Sequence, residues 1–376
     1  MIKLGREKSF VYSAMEEDLR KQILAGVLKN GEKLFSENEF SLRYKISRRS
    51  VRQALSNLEE DQLICSHAGR GWSVASFRKE IEQIRKRIVL ILPEVDNAFI
   101  NELNHGVQSV AGELNCDLIF QSSAFHHEKE RSNILHWLEQ KIDGMIIFPM
   151  VGNFNTDLLF ELKKRNMPFV LVDRFFQDVD TDYVVTDNYK GAFEAVKYLA
   201  EHGCRRIAHL MGSASSANVA RYEGYRDALA ASQIVYDPVL VIRMDPDFHT
   251  GENVGPDCVF GRKAMQLLLD SPIPVDGVFA CNDNMAIGAL QSIRKSSRSV
   301  PEDISIVGFD DLKIASMLEV PLTTVRQPKE KIGMETLRLL LKRIREKEKG
   351  IGVKEFVHIV LETELIERMS VRNKTK

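Results

Sequence analysis

Five cysteines, Cys65, Cys116, Cys204, Cys258 and Cys281, are scattered through 376 residues without a C-x-x-C pair. An odd, widely spaced set argues against a disulfide framework or a zinc knuckle and fits small buried or semi-buried thiols in a reducing cytoplasm. No stretch of about 18 apolar residues occurs, and the opening MIKLGREKSFVYSAMEEDLRK has neither an uninterrupted apolar core nor a small-residue cleavage site. Neither secretion nor membrane spanning is expected. The chain also lacks a Walker A loop, a G-x-G-x-x-G after its first body strand, an H-E-x-x-H helix and a G-x-S-x-G elbow, so an enzyme reading has no nucleophile to name. The pair His126-His127 and the single His105, His136, His202, His209 and His249 lack metal-ligand spacing; neither metal nor cofactor is expected.

Net charge is another near-absence. Lys+Arg 52 against Asp+Glu 53 leaves −1, which on its face argues against nucleic acid. The average hides a division: residues 1–78 hold fourteen Lys/Arg against ten Asp/Glu, +4, and the remainder 38 against 43, −5. What is present is ordinary globular material, 44% hydrophobic, 28% charged and 8% aromatic, long enough for two or three domains.

Between Val11 and Leu28, Met15, Leu19, Ile23 and Leu24 recur at helical spacing, and Gly26 supplies a stop. Ser36-Glu37-Asn38-Glu39 is a capping box that should start a second helix carrying Phe40 and Tyr44 inward. Ser47 caps a third, with Val51, Leu55 and Leu58 on its buried stripe and Arg48, Arg49, Arg52 and Gln53 facing out. Guanidinium forks four residues apart on a helix can read guanine edges or grip phosphate; a merely solvated basic face is the alternative. After Leu63-Ile64, the run His67-Ala68-Gly69-Arg70-Gly71-Trp72 reads as a hairpin with Arg70 at its tip, which makes a winged helix-turn-helix.

Residues 11–75 resemble the DNA-binding domain of the GntR family through Leu19-Arg20, Gly26, Ser36-Glu37, the run Ser47 to Leu55, Leu58-Glu59, Leu63-Ile64 and Gly69-Arg70-Gly71. The resemblance carries the family's DNA contacts over to Arg48, Ser50, Arg52, Gly69 and Arg70, and the expected DNA-binding set adds Ser36, Asn38, Ser47, Arg49 and Gln53. Asn38 stands where many members have Arg, which puts one contact in doubt, and Trp72 is expected to pack the wing.

Residues 77–86 are charged and fit a linker. Beyond them apolar runs (Ile88-Leu92, Asp117-Gln121, Gly144-Phe148, Phe169-Val172, Ile207-Met211, Gly277-Cys281, Ile304-Gly308) alternate with helical segments near 128–141, 188–202, 219–232 and 283–294. That alternation predicts an α/β body of doubly wound parallel sheets, and its size predicts two lobes. Ligands of such sheets sit beyond the strands' carboxyl ends, where Asp96-Asn97-Ala98-Phe99, Asp173-Arg174-Phe175, Asn282-Asp283 and Gly308-Phe309-Asp310-Asp311 fall, with Arg221 heading a helix. Carboxylates, amides, Arg forks and Phe rings suit a neutral polyhydroxylated ligand; helix capping is an equal alternative for Asp187-Asn188 and Asp283. Asp310 and Asp311, as neighbours on a strand end, should point apart.

Residues 87–370 resemble the effector domain of LacI-type repressors and its periplasmic sugar-binding relatives, through Val172-Asp173-Arg174, Arg221-Tyr222-Glu223-Gly224-Tyr225, Cys281 to Gly288, Val300 to Asp311 and Pro321 to Pro328. The resemblance implies effector contacts from Arg221, Asn282 and Asp310 and cleft-lining positions for Phe99, Arg174 and Gln327, to which the strand-end reading adds Asp173. No counterpart of the LacI hinge helix occurs in 76–87, and 242–254 is longer and more irregular than the family's joint.

The expected organisation is a head at 1–76, linker 77–86, body 87–370 and tail 371–376, a combination similar to the arabinose-repressor type. Expected partners are double-stranded operator DNA, a small-molecule effector, a monosaccharide by preference, and a second copy in a homodimer. A regulator sensing a purine or phosphorylated metabolite, and a carbohydrate-active enzyme with a regulatory head, are the alternatives.

Overall fold

The structure, a computed structural model, describes residues 6–29, 31–67, 71–75, 85–94, 97–244, 256–353 and 355–373. It divides into two units, Met1–Arg85 and Lys86–Lys376.

The first unit holds helices α1 (Arg6–Leu24), α2 (Glu37–Tyr44) and α3 (Arg48–Glu60) and the hairpin β1 (Ile64–His67) and β2 (Gly71–Val74). The capping box forms as the spacing predicts: the Glu39 amide donates to Ser36 Oγ at 3.3 Å, and Glu39 Oε2 accepts from the Ser36 amide at 2.7 Å. Ser47 caps α3 through the Ser50 amide at 3.2 Å. Met15, Leu19, Ile23, Phe40, Val51, Leu55 and Leu58 form one core with Ile64 and Val74, so the hairpin is packed onto α3 rather than free. Tyr44 and Trp72 pack partly against this core. Leu24, expected on the buried stripe, is exposed, because it lies one residue past Ile23 and faces away.

The second unit contains two six-stranded sheets. Strands β3 (Lys86–Leu92), β4 (Cys116–Ser122), β5 (Gly144–Ile147), β6 (Phe169–Val172), β7 (Tyr183–Thr186) and β13 (His358–Leu361) make the first, in the order β13-β7-β6-β5-β3-β4, parallel throughout. Strands β8 (Ile207–Met211), β9 (Val241–Arg243), β10 (Gly277–Ala280), β11 (Ser305–Asp310), β12 (Thr323–Arg326) and β14 (Glu364–Ile366) make the second, β14-β12-β11-β10-β8-β9, with only β14 antiparallel. The inner strands of each sheet are buried on both faces, which is why they read as continuous apolar runs, whereas the edge strands are partly exposed. Along β3, Ile88, Leu90 and Leu92 enter one core with α4 (Ala98–Ala111) and α11 (Lys329–Glu348). Val89 and Ile91 enter another with α5 (His127–Leu138) and α6 (Thr156–Lys164). In the second lobe, α9 (Pro256–Asp270) and α10 (Asp283–Lys295) cover one face, α7 (Asn188–Glu201) and α8 (Ser216–Ala231) the other.

Helices α4 and α11 meet backbone to backbone: a Cβ on Gly106 would lie 1.9 Å from the Glu330 carbonyl, and one on Gly333 2.1 Å from that of Leu103. The chain crosses between lobes three times, after β7, after β12 and between β13 and β14. These crossings bring strand ends of both sheets to one cleft. Among the described residues, no helix is long and apolar enough to cross a membrane.

Candidate functional site

In the winged unit, Arg48, Arg49, Arg52 and Gln53 are exposed along α3, opposite buried Val51, Ala54, Leu55 and Leu58. Ser47 and Ser50 sit at the start of that helix, their hydroxyls 2.9 Å apart. Ser36 and Asn38 are exposed at the start of α2. One feature was invisible in the sequence: Arg52 Nε donates to Glu37 Oε2 at 2.7 Å, so this side chain is already held by a carboxylate of the preceding helix. Gly69 and Arg70, the expected wing contacts, lie outside the described residues.

The cleft of the second unit gathers the remaining expected residues. From the first lobe come Asp173 and Arg174, directly after β6. Asp173 takes a positive φ of 69°, and Arg174 Nε donates to its Oδ2 at 3.3 Å. The Arg174 guanidinium lies 4.7 Å from the Phe148 ring centre, and Phe148 in turn meets Phe99 edge-on. Asn97 caps α4 through the Phe99 and Ile100 amides, fixing where Phe99 emerges. Asp96 lies outside the described residues.

From the second lobe, Arg221 on α8 is buried. Its Nε donates to Asn188 Oδ1 at 2.8 Å, one Nη donates to the Cys281 carbonyl, and its guanidinium stacks 3.7 Å from the Phe309 ring centre. Asn282 caps α10, its Oδ1 accepting from the Met285 amide at 2.8 Å, while its Nδ2 donates to Asp257 Oδ2 at 2.9 Å. Asp310 ends β11 with φ 117°, rarely adopted by a residue with a side chain. Two contacts hold it there. Gln327 Nε2 donates to its Oδ1 at 2.7 Å, and Lys329 Nζ donates to the Asp310 and Asp311 carbonyls at 2.6 and 3.1 Å. Lys329, itself buried, also meets Glu102 Oε2 on α4 at 3.2 Å. Burial holds the Asp310 carboxyl above its ordinary pKa, opposed by Arg221, Gln327 and Lys329.

Several polar strand-end residues are structural. Asp187 caps α7 through the Lys190 amide at 2.9 Å. Asp283 is fully buried, accepting from Thr324 Oγ1 and the Leu312 amide, and burial raises its pKa. Asp311 turns away from Asp310 to pair with Arg326 at 2.7 Å and Arg368 at 2.5 Å. Although burial opposes it, those two ion pairs keep Asp311 below the usual carboxylate range.

Sequence reasoning passed over Asp257, Phe148 and Lys329 as site residues, left Asn188 open, and placed Phe309 only within the strand-end set. Phe148 was absorbed into an apolar run, and Asp257 follows the irregular 242–254 stretch, most of which (245–254) lies outside the described residues. The signal for Lys329 was present, two residues beyond Gln327, but a Lys at a helix start reads as solvated.

Comparison with known proteins matches residues 11–74 to the bacterial regulatory proteins of the gntR family, and residues 196–371 to the periplasmic binding protein-like domain. The chain is 29% identical to the HTH-type transcriptional repressor CytR of Escherichia coli (strain K12), over 92% of this chain and 98% of that protein. It is 27% identical to an arabinose metabolism transcriptional repressor of Geobacillus stearothermophilus, over 97% of each. It is 30% identical to the ribose operon repressor of Halalkalibacterium halodurans, over 69% of this chain and 73% of that one. Among solved structures, a transcriptional regulator CelR–cellobiose complex superposes with a TM-score of 0.67 at 29% identity, over 86% of this chain and 90% of that one. These relatives are regulators, not enzymes.

Proposed function

The chain belongs to the LacI-type bacterial transcriptional repressors, with a GntR-type head, and we propose that it is a homodimeric cytoplasmic repressor of carbohydrate-utilisation genes. Its winged heads bind half-sites of an operator, and a monosaccharide bound between the body's lobes sets operator affinity. The observation that carries the sugar reading is the donor and acceptor set at the strand ends: the Arg174 and Arg221 forks and the Asp310 carboxylate, which Gln327 holds in place, lie at one cleft. Forks and carboxylates suit adjacent hydroxyls, which both donate and accept. A purine is less well served. Phe148 and Phe309 are buried, and each already carries a guanidinium, so neither offers an open face for a base to stack on.

A ligand shifts the lobe arrangement only by its difference in affinity for the two states. Asp310 belongs to the second lobe, whereas Thr186 and Glu102 belong to the first; Gln327 and Lys329 connect them. A hydroxyl bound at Asp310 therefore acts on the joints between lobes. We assign release of the operator to the sugar-bound form, with a coupling of about 1–3 kcal/mol.

The test is a thermal-shift screen of free sugars on the full chain, followed by operator gel shifts with each hit. At least one sugar should raise the melting temperature and weaken the shift; a screen in which only nucleobases or phosphate esters do so defeats the reading.

A further inference from the structure

Asp257, which no sequence motif singled out, stands in the first turn of α9 with its orientation fixed by a two-step relay. The Asn282 amide has its oxygen committed to the Met285 backbone N–H at 2.8 Å, so the group it turns toward Asp257 is its NH₂, at 2.9 Å from Oδ2. Asp257 is thus placed as an acceptor. Its Oδ1 takes no hydrogen bond among the described residues, and the residue keeps part of its surface open. Asp310 shows the same pattern: Oδ1 accepts from Gln327, Oδ2 has no hydrogen-bond partner among the described residues, and the residue is half-open. Each of the two carboxylates thus keeps one acceptor that a ligand hydroxyl can donate to.

The cations of the cleft do not stand ready for an anion. Arg174 is paired with Asp173, Lys329 is taken up by Glu102 and two carbonyls, and Arg221 is held by Asn188, a carbonyl and the Phe309 face. Asp173, Asp257, Asp310 and Glu102 outnumber Arg174, Arg221 and Lys329. What remains for a ligand is two carboxylate acceptors and the terminal N–H groups of two guanidiniums.

Resting on the sugar-effector reading, we propose that Asp257 is a specificity-determining effector residue: paired with Asp310, it accepts hydroxyl donors of an uncharged sugar and turns away the phosphorylated form. A phosphate dianion brings no hydrogen-bond donor and places its charge against carboxylates in a partly dehydrated cleft, where repulsion is weakly screened. A site built to accept from a particular hydroxyl discriminates strongly against an analogue that lacks the donor at that position.

The experiment is calorimetric titration of the full-length protein and Asp257→Asn with pentoses and hexoses, each beside its phosphate ester, with melting temperature as the check on folding. The wild-type protein should bind a neutral sugar at least tenfold more tightly than its ester. Asp257→Asn, which replaces the open acceptor by a donor, should weaken sugar binding at least tenfold and narrow that gap at an unchanged melting temperature. A wild-type protein that binds the ester as tightly as the sugar overturns the proposal without recourse to any variant, and so does Asp257→Asn binding the sugar within twofold of wild type. If no neutral sugar binds the wild-type protein, the effector reading falls and this proposal with it.

Discussion

Gln327 Nε2 donates to Asp310 Oδ1 at 2.7 Å, while the other end of the same amide accepts from Thr186 Oγ1. One buried side chain, at the crossing from β12 to α11, thereby joins the last residue of a strand in one sheet to the last residue of a strand in the other. The bond ties the Asp310 carboxylate, the proposed ligand contact, to the joint between lobes.

Replacing Asp310 by Asn should therefore separate two properties. The amide keeps the shape of the carboxylate but loses the charge that a sugar hydroxyl and Gln327 both use, at a cost of about 1–3 kcal/mol for a hydrogen bond to a charged group. Operator affinity without sugar should stay near wild type, and the weakening of the gel shift by sugar should disappear. A normal sugar response in this variant would remove Asp310 from the effector site.

The ion pair between Arg52 and Glu37 makes a two-sided prediction for the head. If Arg52 reads a base or grips a phosphate, Glu37 competes with DNA for the same guanidinium. Arg52→Ala should cost about 1–3 kcal/mol of operator binding. Glu37→Gln, which frees the guanidinium without touching α3, should tighten binding and steepen its salt dependence. Fluorescence anisotropy on an operator duplex across a salt series measures both. Equal affinities for all three proteins would mean that this face of α3 does not meet DNA.

How legible each element was depended on where its partners lay. Ile88-Leu92 and Ile207-Met211 could be read because a parallel strand buried on both faces is apolar at every position. Tyr183–Thr186 and Thr323–Arg326 carry Thr at buried positions, where hydroxyls find partners such as Gln327 and Asp283, and composition gives no hint of this. β13 pairs with β7 across some 175 residues of sequence, a partnership no local window contains. At the site, Arg221, Asp310 and Gln327 stand inside motifs. Asp257 became visible only once α9 and α10 packed side by side and set it against Asn282.

Arg343 on α11 forms a two-pronged pair with Asp182, Nε to Oδ2 at 2.7 Å and Nη2 to Oδ1 at 2.8 Å, both residues buried. Asp182 also accepts from the Val357 amide at 2.7 Å, just before β13, and Arg343 donates to the Glu355 carbonyl. Removing the cation alone strands a buried carboxylate, so Arg343→Ala should destabilise the body by about 3–5 kcal/mol. Adding Asp182→Asn should recover part of that loss. Urea unfolding of the three proteins decides the matter, and an Arg343→Ala midpoint within error of wild type would show that the pair bears no weight.

His209 gives the pH dependence a sign. It is fully buried in β8, stacked 4.9 Å from the Phe279 ring and 5.1 Å from that of Tyr225, with Nδ1 3.0 Å from the Phe279 carbonyl and Nε2 without a hydrogen-bond partner among the described residues. Donation from Nδ1 to that carbonyl fixes the tautomer of the neutral ring, and protonating Nε2 would leave a charge with nothing to receive it. Burial accordingly lowers its pKa from 6.5 to about 4. The unfolded chain takes up a proton as pH falls through 6.5, while the folded chain does so only near 4. The contribution of this residue is thus fully present above the higher value and is lost as pH falls through that window. Between pH 7.5 and pH 5 the loss amounts to about 2 kcal/mol. His209→Phe, which preserves the ring stack without a titrating group, should be less stable than wild type at pH 7.5 because the Phe279 carbonyl loses its donor. It should close that gap at pH 5. Parallel urea titrations at the two pH values test this, and a gap of the same size at both would mean that His209 takes up its proton in the folded protein as it does in the unfolded chain.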